Sequence, residues 1–297
     1  MNYITAFPSL DRFLWEAKTY IYSLEKLNVP KDNIFIITTN DNMNVVNKIV
    51  DLGVHVFSYD DNRHDKSYIP SLKPFLFWSF LKDNPLMQDE TFFYHDSDVV
   101  FLKEFTSYIT EPELGYVYGS DCNGYMNLDY MKTCTNSDKV IDTIIKIVGL
   151  SYTDLDILND SSIGAQYVIP QPTIELFEKI YYDSNKIYHA VDKIDTNFQK
   201  WVAEMYATLW NFVYFGYSPL VSNELDFAWS TDEKYNNQKI LHNAGVVDDK
   251  ELFFKGKYLS QPKIDDLNQS TGKVSDIYVS FLKKALYGEW LWQHRLD

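Results

Sequence analysis

A chain of 297 residues, 45% hydrophobic and 23% charged, has material for one large α/β domain or two ordinary ones and needs no disulfide staples to hold a core. Its net charge of −15 and its lack of a basic stripe disfavour duplex nucleic acid, whose binding draws most of its affinity from neutralised phosphates. Two cysteines, Cys122 and Cys134, without metal-ligand spacing fit a reducing compartment.

Residues 3–7 read as a strand rather than an export signal, since no basic start or long apolar run opens the chain. Helical spacing follows over 11–27, with Phe13, Leu14, Ala17, Tyr20, Ile21 and Leu24 on one stripe. Residues 33–38 form a continuous apolar run, as a strand buried on both faces does. A helix over 42–52 stopped by Gly53, a strand at 54–57, an aromatic helix at 71–81 and a strand at 91–95 complete the alternation. Such units predict right-handed crossovers and an α/β fold with a mostly parallel sheet flanked by helices.

Beyond residue 105 the rhythm is irregular. Strands are expected at 115–119, 164–169 and 239–241, helices at 172–182, 198–215 and 274–291, and a polar, aromatic loop at 226–237. The most apolar stretch, 198–217, carries Lys200, Glu204 and Asn211, so it reads as a buried helix and not a membrane span. The expected organisation is one domain over 1–260, split into a nucleotide-binding half (1–105) and an irregular half (106–260), with a helical extension at 261–297. The expected location is the cytoplasm. The aromatic content of 16% has two readings, an aromatic core or flat platforms for sugars and bases.

The sharpest local feature is Phe92-Phe93-Tyr94-His95-Asp96-Ser97-Asp98-Val99-Val100, an apolar strand that runs into two aspartates and leaves as another apolar strand. Residues two apart on extended chain face the same side, so the carboxylates of Asp96 and Asp98 converge. Poorly solvated and mutually repelling, they require a cation or hydrogen-bond donors. Oxygen ligands of this kind suit Mg²⁺ or Mn²⁺, whose shell is completed by substrate phosphate.

With an Asp-x-Asp placed after the fourth strand, the chain resembles the GT-A glycosyltransferases, in their glycogenin-like and galactosyltransferase-like branches. The resemblance implies a Rossmann-like GT-A fold with an irregular acceptor-side half. It also implies a nucleoside-diphosphate sugar donor, above all a UDP-sugar, and a hydroxyl acceptor on a saccharide or another molecule. The segment Ile240-Leu241-His242-Asn243-Ala244-Gly245 resembles the family's late metal-ligand block, which implies His242 as third ligand and Gly245 with a following lysine over the diphosphate. Lys255-Gly256-Lys257 replaces the family's Lys-Pro-Trp, so Lys255 and Lys257 both qualify. Ser162-Ile163-Gly164-Ala165-Gln166 resembles the small-residue strand beside the donor sugar, where Gln166 would bond hydroxyls. Thr5, Ala6 and Phe7 occupy the place of nucleoside contacts, Lys73 that of a basic residue near the nucleotide, and Ser97 lies between the metal aspartates.

Glu204 and Asp226 are the candidate catalytic carboxylates, and Asp11 reads equally as a helix cap or a ligand. His95 is expected to face the sheet body, while His55, His64, His189 and His294 lack a partner pattern. No Gly-x-x-x-x-Gly-Lys, Gly-x-Gly-x-x-Gly or Gly-x-Ser-x-Gly motif is present. A sugar nucleotidyltransferase would want a Gly-rich basic loop where this chain has Ala6-Phe7-Pro8-Ser9-Leu10-Asp11. The remaining rivals are a non-catalytic carbohydrate-binding protein on the same fold and a glycosyltransferase that modifies nucleic acid. The late histidine and the small-residue strand resemble retaining branches, so retention is the expected stereochemistry.

Overall fold

The computed structural model describes residues 1–293 except Asp249 and Gln269, so His294 lies outside the described residues. Strands β1 (Asn2–Phe7), β2 (Ile34–Thr39), β3 (His55–Tyr59) and β4 (Thr91–Tyr94) alternate with helices α1 (Asp11–Lys26), α2 (Met43–Val50) and α3 (Leu72–Asp83). After β5 (Val99–Phe101) come α4 (Ser107–Thr110) and β6 (Tyr116–Asp121), then α5 (Asn123–Met126), α6 (Leu128–Lys132), α7 (Ser137–Val148) and α8 (Tyr152–Leu158). The chain continues through β7 (Ile163–Pro170), α9 (Ile174–Val191), α10 (Ala203–Tyr214), β8 (Ser218–Val221), β9 (Phe227–Trp229), β10 (Ile240–His242) and α11 (Ser275–Gln293).

The main sheet has seven strands in the order β3-β2-β1-β4-β7-β6-β8. The first four are mutually parallel, β7 is antiparallel to both its neighbours, and β8 is parallel to β6. A second sheet of three strands, β5-β10-β9, stands apart from it. Successive side chains of a strand point to opposite faces. Ile4, Phe35, Ile37 and Phe92 accordingly pack against α3, while Tyr3, Ile34, Ile36 and Phe93 pack with Leu14 and Tyr20 of α1. Both faces are covered, which is why these strands read as unbroken apolar runs.

Much of the aromatic content is core. Phe77 and Phe80 of α3 meet Phe92 edge-on, with ring centroids 5.5 and 6.1 Å away. The final helix is part of the body: Tyr278 and Leu282 are fully buried in a cluster with Trp15 of α1 and Phe253. Among the described residues, no helix is long and apolar enough to cross a membrane.

Several elements differ from the sequence expectation. The segment 226–237 contains β9, which pairs with β10. The helix expected at 172–182 continues to Val191. The helix expected at 198–215 begins at Ala203, and Trp201 lies in a 3-10 turn before it, 55% exposed. Helices α5 to α8 fill a stretch for which the sequence reading gave no element, although α7 buries Val140, Ile141, Ile144, Ile145 and Val148 at plain helical spacing.

His95 faces the sheet body as expected. Its ring stands edge-on to Tyr20, Phe93 and Phe101, and its Nδ1 lies 2.7 Å from the Asp96 carbonyl. Burial pushes its pKa down to about 4. The usual value is about 6.5, so between these two pH values the unfolded chain binds a proton that the folded chain refuses. Stability therefore falls as pH drops from about 6.5 to about 4, by up to ~1.4 kcal/mol per pH unit for this one group. Urea unfolding across that range should show a His95→Gln slope shallower by about one proton; equal slopes would contradict it.

Candidate active site

The candidate metal triad is assembled by the small sheet. β10 runs antiparallel to β5 with His242 opposite Val99, the residue after Asp98. The Asn243 N–H donates to the Asp98 carbonyl at 2.9 Å, which locks that register one step further. His242 Nε2 then lies 3.2 Å from Asp98 Oδ1 and 3.6 Å from Asp96 Oδ2. Three ligand atoms, one from each residue, lie within 4.8 Å of one another, a two-carboxylate, one-imidazole donor set that fits Mn²⁺ or Mg²⁺. The aspartates converge through a turn at 97–98 rather than along extended chain. Phe227 of β9 lies against the His242 ring, centroids 5.1 Å apart.

Cations answer the paired carboxylates. Lys73, in the first turn of α3, reaches Asp96 Oδ1 at 2.9 Å and Glu204 Oε2 at 3.3 Å. Lys255 forms an ion pair with Asp98 Oδ2. Burial alone would raise the pKa of Asp96 and Asp98, but Lys73 and His242 for the first, and Lys255 and His242 for the second, hold both below the usual carboxylate value. Burial would likewise lower the Lys73 ammonium, yet Asp96 and Glu204 drive it well above its ordinary pKa. All three groups are thereby kept charged at neutral pH.

Behind the turn sits a carboxylate that the sequence reading missed. Glu16 on α1 is fully buried, accepts the Ser97 hydroxyl at 2.5 Å and pairs with Arg12 Nε at 2.7 Å. Burial, then the nearby Asp98, raises its pKa. The available signal was a glutamate inside the apolar stripe of α1, four residues after an arginine.

A cleft of about 270 Å³ opens over these groups. Its walls include Ala6, Phe7, Arg12, Lys73, Asp96, Ser97, Asp98, Glu204 and Lys255, with Trp201 and Met205 also lining it. β1 reaches this edge because its pairing with β4 ends at Ile4 and Tyr94, leaving Thr5 to Phe7 alongside the aspartate turn. Thr5 itself is fully buried and does not line the cleft.

Other expected residues fall elsewhere. Gln166 is fully buried and gives its amide N–H to Ser120 Oγ and, at 2.7 Å, to the Leu225 carbonyl. It is turned that way by a register shift between β6 and β7, where Ala165 takes a left-handed φ of 61°. A Cβ on Gly164 would fall 2.6 Å from Met205 Cε, so that glycine makes room for a side chain of α10. Asp226 accepts the Asp121 N–H at 3.1 Å and is not a cleft residue. Gly245, with a left-handed φ of 81°, turns the chain after β10 beside Trp229 and Thr231. Lys257 lies off the cleft, 5.9 Å from the centre of the Tyr258 ring. Asp11 is the first residue of α1, whose N-cap, Leu10, makes no side-chain cap bond. His189 does have a partner, the Asp65 carboxylate, and His55 stacks on Phe35.

No protein-family model matches the sequence, and no curated protein does. Solved structures do match in shape. The chain aligns over its whole length with the apo structure of WbbM, a bifunctional glycosyltransferase, at 10% identity and a TM-score of 0.53, and spans 52% of that protein. The galactosyltransferase LgtC, in complex with donor and acceptor sugar analogs, aligns over 96% of both chains at 9% identity and a TM-score of 0.50. An active-site mutant of LgtC aligns over the same share at 10% identity and a TM-score of 0.53. At such identities the likeness is one of architecture, and this chain has the GT-A type of glycosyltransferase fold with a candidate metal triad at the carboxyl end of its fourth strand.

Proposed function

We propose that this protein is a retaining glycosyltransferase that moves a sugar from a UDP-sugar to an acceptor hydroxyl, with Mn²⁺ or Mg²⁺ held by Asp96, Asp98 and His242. The observation that carries this reading is the convergence of a half-buried and a buried carboxylate with two lysines on one cleft, with an imidazole within ligand distance of both carboxylates, at the strand end where open α/β sheets bind ligands. LgtC, which shares the fold, was solved with donor and acceptor sugar analogs, which supports the two substrate classes. The two buried free cysteines support a reducing, cytoplasmic setting.

The divalent ion would supply charge neutralisation at the departing diphosphate. Ala6 and Phe7, at the carboxyl end of β1 on the cleft wall, flank the nucleoside. Lys255 meets the diphosphate as it leaves, and its ion pair with Asp98 keeps that ammonium at the site between turnovers. Lys73 orients Asp96 and is itself held by Glu204.

Retention is supported by what the carboxylates are doing. Glu204 lines the cleft, but its oxygens are engaged by Lys73 at 3.3 Å and by the Thr208 hydroxyl at 3.2 Å. Asp226 bonds a backbone N–H outside the cleft. Among the described residues, the cleft thus presents no unengaged carboxylate to deprotonate an acceptor, as an inverting enzyme requires.

Asp96→Asn or Asp98→Asn should lower transfer at least ~100-fold, about 2.7 kcal/mol in barrier, because each change removes a charged ligand and an ion-pair partner of Lys73 or Lys255. Excess EDTA should abolish transfer and Mn²⁺ restore it; full activity in EDTA overturns the metal assignment. Lys255→Ala should weaken UDP-sugar binding by about tenfold while sparing uridine, and Lys257→Ala should change both little. The reverse order, read by calorimetry, would exchange their roles. The third test is stereochemical. An α-linked donor should give an α-linked product by NMR, and a β-linked product would make Glu204 or Asp226 the base.

A further inference from the structure

Helix α1 carries a charge that the reaction above leaves unused. Glu16 is 0% exposed, on a helix that otherwise buries Leu14, Trp15, Ala17, Tyr20 and Ile21. A leucine there would pack as well and avoid the cost of burying a carboxylate, so the residue is explained by its bonds. It makes two. Oε2 accepts the hydroxyl of Ser97, in the middle of the aspartate turn, at 2.5 Å. Oε1 accepts Arg12 Nε at 2.7 Å, one helical turn earlier. One rigid carboxylate therefore joins the turn that carries Asp96 and Asp98 to an arginine on the cleft wall.

Arg12 is placed as a ligand-facing cation. Its Nε is taken by Glu16, and no other hydrogen bond holds its guanidinium among the described residues. The group lies over the Phe13 ring, 5.1 Å from its centre, and lines the cleft with Asp98 and Lys255. Fixing Nε leaves the two terminal nitrogens as a planar fork, the shape that binds phosphate oxygens in pairs.

We propose that Glu16 is a positioning residue that holds Arg12 as a diphosphate-binding group and couples it to the metal-carrying turn through Ser97. This rests on the nucleotide-sugar reading above and adds to it a cation that the sequence did not single out. Glu16→Gln keeps an acceptor oxygen for Ser97 but removes the charge that orients Arg12.

The test measures binding by the purified full chain, with Mn²⁺ affinity read by electron paramagnetic resonance and UDP affinity by calorimetry in saturating Mn²⁺. Glu16→Gln is expected to weaken UDP about tenfold, Arg12→Gln by as much, and uridine to bind both like wild type. The double variant should bind UDP no worse than Arg12→Gln alone, because Glu16 acts through Arg12. Ser23→Ala is the structural control. Ser23 accepts the Phe101 N–H at 3.0 Å elsewhere in the contact between α1 and β5, so its loss should lower Tm without moving UDP affinity. Normal UDP binding by Glu16→Gln, or losses that add in the double variant, overturns the proposal. Should Glu16→Gln fail to fold, Ser97→Ala cuts the other arm, and it must weaken UDP in the Arg12 chain but not in the Arg12→Gln chain. A wild-type chain that binds neither Mn²⁺ nor UDP overturns the nucleotide-sugar reading itself, and this inference with it.

Discussion

Two aspartates held two residues apart at the buried end of a strand repel each other, and much of the surrounding structure answers that repulsion. Asp98 is 4% exposed, too dry for solvent to screen its charge. Its charge is stabilised by Lys255 and His242, and its backbone is held by the Asn243 N–H, which donates to the Asp98 carbonyl. Asp96 is stabilised by Lys73 and by the same imidazole. Each of these partners comes from a different element, so the charge problem of one turn fixes the relative placement of α3, β10 and the 3-10 turn after Phe254.

The neutralising groups are themselves held. Lys73 is shared between Asp96 and Glu204, and the segment around Glu204 is pinned by Tyr68, whose hydroxyl accepts the Glu204 N–H at 2.8 Å and donates to the Trp201 carbonyl at 2.6 Å. Tyr68 also caps the loop that buried Arg63 organises through Asp61, Ser71 and the Tyr68 carbonyl. On the other side, Trp15 of α1 gives its indole N–H to the Tyr258 carbonyl at 3.2 Å, anchoring the segment that follows Lys255. The chain thus presents fixed charge to the cleft through side chains whose own positions are set by buried hydrogen bonds, the arrangement that electrostatic catalysis requires.

Most of the first hundred residues were legible because both faces of the sheet are covered, and such strands announce themselves as apolar runs between amphipathic helices. The irregular half was harder for an identifiable reason. α5, α6 and β9 are only three to five residues long, below the length at which a period can be counted, and β9 exists because β10 lies beside it. Gln166 shows the same limit from the other side. Its neighbours Gly164 and Ala165 looked like a platform for a sugar ring, yet a register shift, which no local pattern encodes, turns its amide into the protein.

The sequence by itself determined that two carboxylates would converge after the fourth strand and that they would need a cation or hydrogen-bond donors, while the family resemblance implied His242 as their third partner. Those properties are local, set by residue type and by which neighbours are apolar. Only the tertiary structure decided which lysine reaches the site, since Lys255 and Lys257 differ by two positions and only the path of the loop beneath Trp15 separates them. It also decided that Glu204 answers Lys73, and that Glu16 stands behind Ser97. Partners such as Ser97 and Glu16 lie 81 residues apart in the chain. A pairing at that separation depends on the packing of a helix against a turn, and packing is a property of the assembled molecule, not of either segment.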